Sequence, residues 1–339
     1  NQFFPIYTKR NQQNYYVRDK IMSSKSNILQ ILEKNRGTYV SGEELAEKYF
    51  ITRNGIWKNI KKLREEGYDI EAVTNKGYRL KSCLGKISEG EIKSGLKCDW
   101  HFEILNEIDS TNNYAKELAV SGIRENTVVI AEKQTCGKGR LGRPFFSPEG
   151  NGLYMSVLCR PDIDVSESPL ITSYTAVAVA KAIEKLCGHG TDIKWVNDIY
   201  MNGKKICGIL TEAGFDFEGG TIDYAVIGIG VNVLGKEFPD EIKNIATSVE
   251  FETGKRISRN ELAAEILNNL SGISENIKNK DYLDEYRKRS NVIGKKITVT
   301  CGKEKFVAEA GCINDNAELV VRNENGTRIL NSGEVSIKL

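Results

Sequence analysis

Gln134-Thr135-Cys136-Gly137-Lys138-Gly139-Arg140-Leu141-Gly142-Arg143-Pro144 interleaves three cations with three glycines. Glycines let backbone amides approach an anion closely, while Lys138, Arg140 and Arg143 bring charge-assisted donors to carboxylate or phosphate oxygens. The same stretch contains G-x-G-x-x-G, the dinucleotide fingerprint, which has to open a helix. Pro144 and Pro148 follow at once, so that reading fails. A surface loop for nucleic acid is the remaining rival. A second cluster argues against it: Lys194-Trp195-Val196-Asn197-Asp198, then Lys205 beyond the tight-turn pair Asn202-Gly203. Lysine and aspartate beside an apolar strand suit a reacting anion, although an edge hairpin with solvated lysines would look the same.

Other engines are scarce. His101 and His189 are the only histidines, so triads and His-rich metal centres have little to build on. Eight cysteines include no C-x-x-C pair, which argues against a zinc ribbon or a thioredoxin-type site. Among 339 residues, 40% are hydrophobic and 28% charged, which predicts two or three globular domains with real cores. No apolar run approaches the ~18 residues of a membrane span, and the first twenty residues lack a secretory core. A cytoplasmic protein with reduced thiols is expected. Net charge is only +2, so any nucleic-acid contact requires a local basic patch.

The elements that would position these residues follow from periodicity. Residues 1–21 are read as an extension before Met22. A winged helix-turn-helix is expected over 22–82: a first helix with Ile28, Leu29, Ile31 and Leu32, then a second opened by a Ser41/Glu44 capping box. In the third, Ile56, Ile60 and Leu63 form the buried stripe. Arg53, Asn54, Trp57, Lys58 and Lys61 are left for DNA, with Lys76 on the wing. The bland alternative is a helical interaction module whose lysines face water. Residues 83–100 read as a linker carrying a short helix at 88–92, and 101–290 as a mixed sheet with helices over 112–120, 169–186, 258–278 and 281–290. A small all-β tail covers 291–339. The strand at 224–229 is expected either to cross a two-fold interface or simply to be buried.

Together these segments resemble one family, the biotin protein ligases of the bifunctional repressor type. Asp109-Ser110-Thr111-Asn112 is similar to the family's D-S-T-N, residues 137–143 to its G-R-G-R-x-G-R loop, and residues 194–198 to its K-W-P-N-D. The resemblance implies an α+β multidomain protein. Its parts are the winged helix-turn-helix, a central mixed α/β catalytic domain of the biotin/lipoate ligase (class II synthetase-like) type, and a C-terminal SH3-like β-barrel. It implies a biotin–[acetyl-CoA-carboxylase] ligase that forms biotinyl-5′-AMP from biotin and ATP with Mg²⁺. Biotin then passes to a lysine of a biotin carboxyl carrier protein, from acetyl-CoA carboxylase or another biotin-dependent carboxylase. It also implies a repressor that dimerises with the adenylate and binds operator DNA. Ser110, Thr111, Asn112, Gln134, Lys138, Gly139, Arg140 and Lys205 are then expected at biotin. Lys138, Arg140, Arg143, Asn197 and Asn232 are expected at the nucleotide, with Lys205, Arg140, Asp198 and Lys194 catalytic and no resident metal, Mg²⁺ arriving with ATP. Val196 and Lys138 replace a family proline and arginine, and Phe145 stands where tryptophan is common. A ligand-sensing repressor and a lipoate ligase are the rivals.

Overall fold

A computed structural model describes residues 24–35, 37–65, 68, 70–80, 86–123, 126–215, 220–235 and 237–337. The expected extension over 1–21 lies outside them. The chain divides into two compact units, Asn1–Lys86 and Ile87–Leu339.

In the first unit three helices, α1 (Ser24–Lys34), α2 (Gly42–Tyr49) and α3 (Arg53–Glu65), precede a hairpin of β1 (Ile70–Val73) and β2 (Gly77–Leu80). Ser41 caps α2, accepting from the Glu43 amide at 3.2 Å rather than from Glu44. Thr52 Oγ1 accepts from the Gly55 amide at 3.1 Å and so starts α3. Ile56, Ile60 and Leu63 are buried against Ile28, Leu32, Leu45 and Leu80. That leaves Arg53, Asn54, Trp57, Lys58 and Lys61 exposed on α3 and Lys76 exposed at the hairpin tip. Gly77 needs its glycine: at φ 102° a β-carbon there would stand 2.1 Å from the Val40 carbonyl.

The second unit begins earlier than the expected linker allows. Residues 81–85 are outside the described set, but Ile87, Ile92 and Trp100 are core residues, and α4 (Glu89–Ser94) packs on a later helix. From Ile87 onwards the stretch read as a linker carries apolar side chains into the core, and its expected short helix is α4. Along the chain follow β3 (His101–Ile108), α5 (Thr111–Val120), β4 (Thr127–Gln134), β5 (Gly152–Cys159), α6 (Ser168–Cys187), β6 (Asp192–Lys194), β7 (Asp198–Met201), β8 (Lys204–Phe215) and β9 (Ile222–Asn232). The seven strands form one mixed sheet in the order β3-β4-β5-β9-β8-β7-β6, parallel only between β3 and β4. β9 pairs with β5 on one side and β8 on the other. It is the buried strand of the two alternatives, and it has no free edge to offer a partner.

Strand alternation divides this sheet into two faces. Leu153, Met155, Val157, Ile227, Ile229 and Val231 join the large core with α6. On the other face Val129, Leu158 and Val226 pack against Ala115 and Ala119 of α5. Then come α7 (Val249–Thr253), α8 (Arg259–Leu270), α9 (Ile273–Asn279) and α10 (Tyr282–Lys288). The single helix expected over 258–278 is two, because Gly272 at φ 71° turns the chain into the left-handed region. The tail is a five-stranded antiparallel sheet of β10 (Lys296–Cys301), β11 (Glu304–Ile313), β12 (Leu319–Asn323), β13 (Gly326–Leu330) and β14 (Glu334–Ile337). Its order, β13-β12-β11-β10-β14, is not closed into a barrel by pairing, and its apolar face joins the large core of the seven-stranded sheet instead of forming its own. No helix among the described residues is long and apolar enough to cross a membrane.

One buried ion pair sits inside this unit. Arg259 donates to Glu132 at 2.8 Å and to the Gly152 carbonyl at 3.0 Å, while the other Glu132 oxygen accepts from the Ile87 amide at 2.6 Å. Removing one member strands a buried charge, which costs about 3–5 kcal/mol. Arg259→Ala is therefore expected to lower the unfolding free energy of the second unit by that amount, read as a lower urea midpoint at an unchanged slope. A midpoint within error of the parent would remove the pair from the list of structural supports.

Candidate active site

The register of the sheet places the site. Val129, Ser156, Gly228 and Leu210 stand in one row across β4, β5, β9 and β8, on the α5 face. The first turn of α5 sits on this row. Asn112 comes so close that a β-carbon on Gly228 would lie 2.2 Å from its Oδ1. The neighbouring row holds Ala131, Tyr154, Gly230, Gly208 and Asp198. Here the two glycines leave a bare floor, and Phe145 lies on it, 2.5 Å from where a Gly230 β-carbon would be. Lys205 crosses the same floor beside Gly208.

A cavity of about 280 Å³ opens over these rows. All the residues expected at biotin, at the nucleotide or in catalysis line it: Ser110, Thr111, Asn112, Gln134, Lys138, Gly139, Arg140, Arg143, Lys194, Asn197, Asp198, Lys205 and Asn232. The cavity has two chemically different ends.

The end under α5 is neutral and hydrogen-bonded. Ser110 is the N-cap position of α5, yet its hydroxyl makes no capping bond. Gln134 Oε1 accepts from the Thr111 amide at 2.9 Å, and its Nε2 donates to Ser147 Oγ at 2.9 Å. Asn112 Nδ2 donates to Glu212 at 2.9 Å, and Lys116 donates to the other Glu212 oxygen at 2.7 Å. Burial works against ionising Glu212, but the bonds from Lys116 and Asn112 outweigh it and hold the carboxyl below its usual range.

The other end is cationic. Residues 137–145 form a tight hairpin, in which Gly139 N–H donates to Arg143 O at 2.7 Å and Phe145 N–H to Gly137 O at 2.8 Å. A single 3₁₀ turn at Arg140–Gly142 replaces the helix that a dinucleotide fingerprint would need. Arg140 donates to Asn197 Oδ1 and to Gly333 O, both at 3.1 Å, and Arg143 pairs with Glu334 at 2.7 Å. Lys138 donates to Asn113 Oδ1 at 2.6 Å. The hydrogen bond from Asn113 holds Asp109 below the usual carboxylate range, with help from the Ser110 amide and the Lys138 charge against burial. Lys205 and Asp198 form an ion pair at 2.7 Å. Lys194 stands over the Tyr200 ring, and burial draws its ammonium below the usual lysine range, with Asp198 opposing. The peptide bond before Val196 is cis. Among the described residues no three His, Cys, Asp or Glu side chains gather to hold a metal ion.

Seven contributors were not anticipated from sequence. Ser156 is a lone hydroxyl in an apolar strand, and Glu212 a carboxylate within β8; both signals were present. Gly333 and Glu334 reach the cavity from the terminal sheet, and Phe238, Ile242 and Ile245 form a wall from an irregular segment. No local pattern marks that wall. The exposed cations of α3 belong to the first unit and take no part in this cavity.

The chain matches the Biotin/lipoate A/B protein ligase family over residues 105–232 and the HTH domain over 25–79. The bifunctional ligase/repressor BirA of Bacillus spizizenii is 43% identical over 240 residues, 69% of this chain and 73% of that protein. Its Escherichia coli counterpart is 28% identical over 316 residues, 89% and 94% of the two chains. A biotin protein ligase from Aquifex aeolicus in complex with biotin and ATP is 29% identical and superposes with a TM-score of 0.60, covering 70% of this chain and 98% of that one. Identity of 43% over most of a bifunctional relative, with both of its expected parts matched in order, leaves one assignment: this chain belongs to the family of bifunctional biotin protein ligase/repressors.

Proposed function

We propose that this protein adenylates biotin with ATP and transfers the biotinyl group to a lysine of a carrier protein, and that its first unit represses transcription at an operator. The observation that carries the enzymatic half is the cavity with one neutral, hydrogen-bonding end and one end ringed by Lys138, Arg140, Arg143, Lys194 and Lys205. Such a shape suits a ligand with a neutral polar ring and a carboxylate that must meet a triphosphate.

Adenylation needs in-line placement of the carboxylate on the α-phosphorus and stabilisation of the charge that develops there. Lys205 and Arg140 supply that charge from opposite walls, and the amides of the glycine hairpin add donors without side-chain bulk. Pyrophosphate leaves as biotinyl-5′-AMP forms. In the second step a carrier lysine attacks the acyl carbon and AMP departs. Asp198 is the carboxylate in reach to take the amine proton, and Lys205 beside it screens the leaving phosphate. ATP enters as its magnesium complex, a substrate whose metal is held by phosphate oxygens. Asn232 and Asn197 face the nucleotide side, with Phe145 on the floor.

On the DNA side, Arg53, Asn54, Trp57, Lys58 and Lys61 present a basic, aromatic helix face, with Lys76 on the wing for phosphate. One such unit reads a short half-site, so we infer a homodimer on a pseudo-palindromic operator, assembled when biotinyl-5′-AMP is bound. The small terminal sheet is read as an SH3-like module that supports the glycine hairpin. The parts are divided as 22–86, 87–290 and 291–339, in the cytoplasm with the carrier and the operator.

Mass spectrometry of a carrier domain incubated with this protein, biotin and MgATP tests the reading. A mass increase of one biotinyl group supports it, and an unmodified carrier or equal transfer of lipoate overturns it. Lys205→Ala is expected to slow pyrophosphate release on the order of 10²–10³-fold. Arg140→Gly should fold and still make the adenylate, but release it faster, so that lysines of bystander proteins become labelled. Alanine at Lys58 or Lys61 should weaken operator binding and reduce its salt slope by about one phosphate contact each. Carrier biotinylation by these variants should match the parent, since both lysines lie in the other unit.

A further inference from the structure

Lys205 lies where the sheet changes neighbours. β8 pairs with β9 only from Cys207 and Val231 onwards, and β9 ends at Asn232. Residues 204 and 205 therefore have β7 on one side and no β9 partner on the other. An irregular segment takes the place of β9 there. Lys205 N–H donates to Ile245 O at 2.8 Å and Thr247 N–H donates to Lys205 O at 2.9 Å, a parallel bridge centred on Ala246. Asn232 Nδ2 donates to Thr247 O at 3.0 Å. Thr247 thus touches the backbone of Lys205 and the side chain of Asn232 at once, while Ile245 and Ala246 beside it line the cavity.

A bridge of two bonds is a weak substitute for a strand, and a group outside the cavity reinforces it. Glu252 of α7 accepts from Thr247 Oγ1 at 2.7 Å through one oxygen and from Asn202 Nδ2 at 2.9 Å through the other. Asn202, at φ 49°, stands in the turn that joins β7 to β8, and those two strands carry Asp198 and Lys205. A carboxylate only accepts, so the directions are set: Thr247 points its hydrogen at Glu252, and Asn202 turns its amide there, leaving Oδ1 3.3 Å from His189 Nε2. Thr247 is 2% exposed, so its bond is shielded from water, whereas the bond from Asn202 lies at the surface. Neither Thr247 nor Glu252 lines the cavity.

We propose that Glu252 is a positioning residue: acting through Thr247, it holds segment 245–247 on β8 and so fixes Lys205 and Asn232 in one frame for adenylation. This rests on the ligase reading above and deepens it. Lys205 meets the carboxylate and the α-phosphate, Asn232 faces the nucleotide, and the attacking oxygen has to lie in line with the α-phosphorus. Displacing Thr247 moves both contacts together relative to Ser110, Thr111 and Asn112, which α5 carries. The consequence is a split between substrates. Loss of the tie disturbs the placement of ATP and leaves the binding of biotin alone near its parental strength.

The test uses the whole chain with biotin and MgATP, read as pyrophosphate release, and calorimetric affinity for biotin alone. Thr247→Val keeps the branched shape and removes the hydroxyl, whereas Thr247→Ser keeps the hydroxyl and removes a buried methyl. Positioning makes valine the damaging change. Its kcat for adenylation should fall on the order of 10-fold, within the range that small misplacements cause. Its KM for ATP should rise while biotin affinity stays near the parent's, and Thr247→Ser should run as the parent does. A role in packing alone reverses that order. Glu252→Ala should lose at least as much as Thr247→Val, and the double variant no more than Glu252→Ala, because both remove one link. Thermal midpoints near the parent's show each variant folded, and if one of the two fails to fold, the other decides against Thr247→Ser. Parental kinetics in the folded Thr247→Val or Glu252→Ala variant, a serine variant as slow as the valine, or additive losses in the double variant overturn the inference and leave the ligase reading intact. A parent chain that releases no pyrophosphate from biotin and MgATP overturns that reading and the inference with it.

Discussion

The helix that carries Ser110, Thr111 and Asn112 can touch the middle of the sheet only because Gly228 has no side chain there. With any β-carbon at that position the first turn of α5 would have to lift away, and Asn112 would lose Ser156 and Glu212 together. Gly208 and Gly230 do the same for Phe145 and Lys205 one row along. A glycine within a strand costs roughly 0.5–1 kcal/mol relative to alanine. Three of them on one face are tolerable because the alternate positions are filled. Ile209, Ile227, Ile229 and Val231 are buried on the opposite face, each contributing roughly 1.5–3 kcal/mol. The strands are thus held from one side and left bare on the other, and the bare side is where a ligand is to lie.

Charge at the second end of the cavity is held in pairs that exchange easily. Lys205 with Asp198 and Arg143 with Glu334 are partly exposed, the Arg143 side chain by 67%. Pairs in such surroundings are worth about 0–1 kcal/mol each. They keep the cations oriented towards the cavity without committing them, and a triphosphate with several negative charges displaces these partners at little cost. Arg140 is held differently, by the neutral oxygens of Asn197 and Gly333. A carbonyl gives up an arginine to phosphate more readily than a carboxylate does, because no opposite charge is left behind. The terminal sheet therefore reaches the reacting centre through backbone and rim contacts rather than through a group of its own chemistry.

Legibility in the sequence followed locality. The winged unit was readable because each signal lies within a turn or two of its effect: Ser41 as a cap, Ile56, Ile60 and Leu63 as a stripe. The glycine loop was readable as something other than a helix start because Pro144 and Pro148 follow its cations. The residues at 110–112 could be listed from a motif, but nothing local states that they rest on Gly228 and Ser156, which are brought under them by pairing between β5 and β9. Glu212 was overlooked for the same reason, since its meaning depends on Asn112, a hundred residues away in sequence. The errors were local as well. Ile87, Ile92 and Trp100 were apolar residues in a stretch assigned to a linker, and Gly272 stood in the middle of a supposed single helix. The terminal strands were correctly read as strands, but closure into a barrel is a property of pairing that alternation does not encode.

The two ends of the cavity are suited to different tasks because water and salt act on them differently. The cationic end attracts any ligand with enough negative charge, and its attraction is screened as ionic strength rises. Such an end can stabilise a developing charge and so accelerate a reaction, but it distinguishes one carboxylic acid from another poorly. The neutral end gains little from long-range attraction, since a hydrogen bond exchanged with water nets only about 0.5–1.5 kcal/mol. Its power lies in refusal: a ligand that leaves the buried polar atoms of Thr111 and Asn112 unmatched carries their desolvation cost. Selection at the ring and chemistry at the carboxylate are thereby separated along one ligand. The first turn of α5, seated on Gly228, keeps the selecting end in register with the glycine hairpin through Gln134 and through the contact of Lys138 with Asn113.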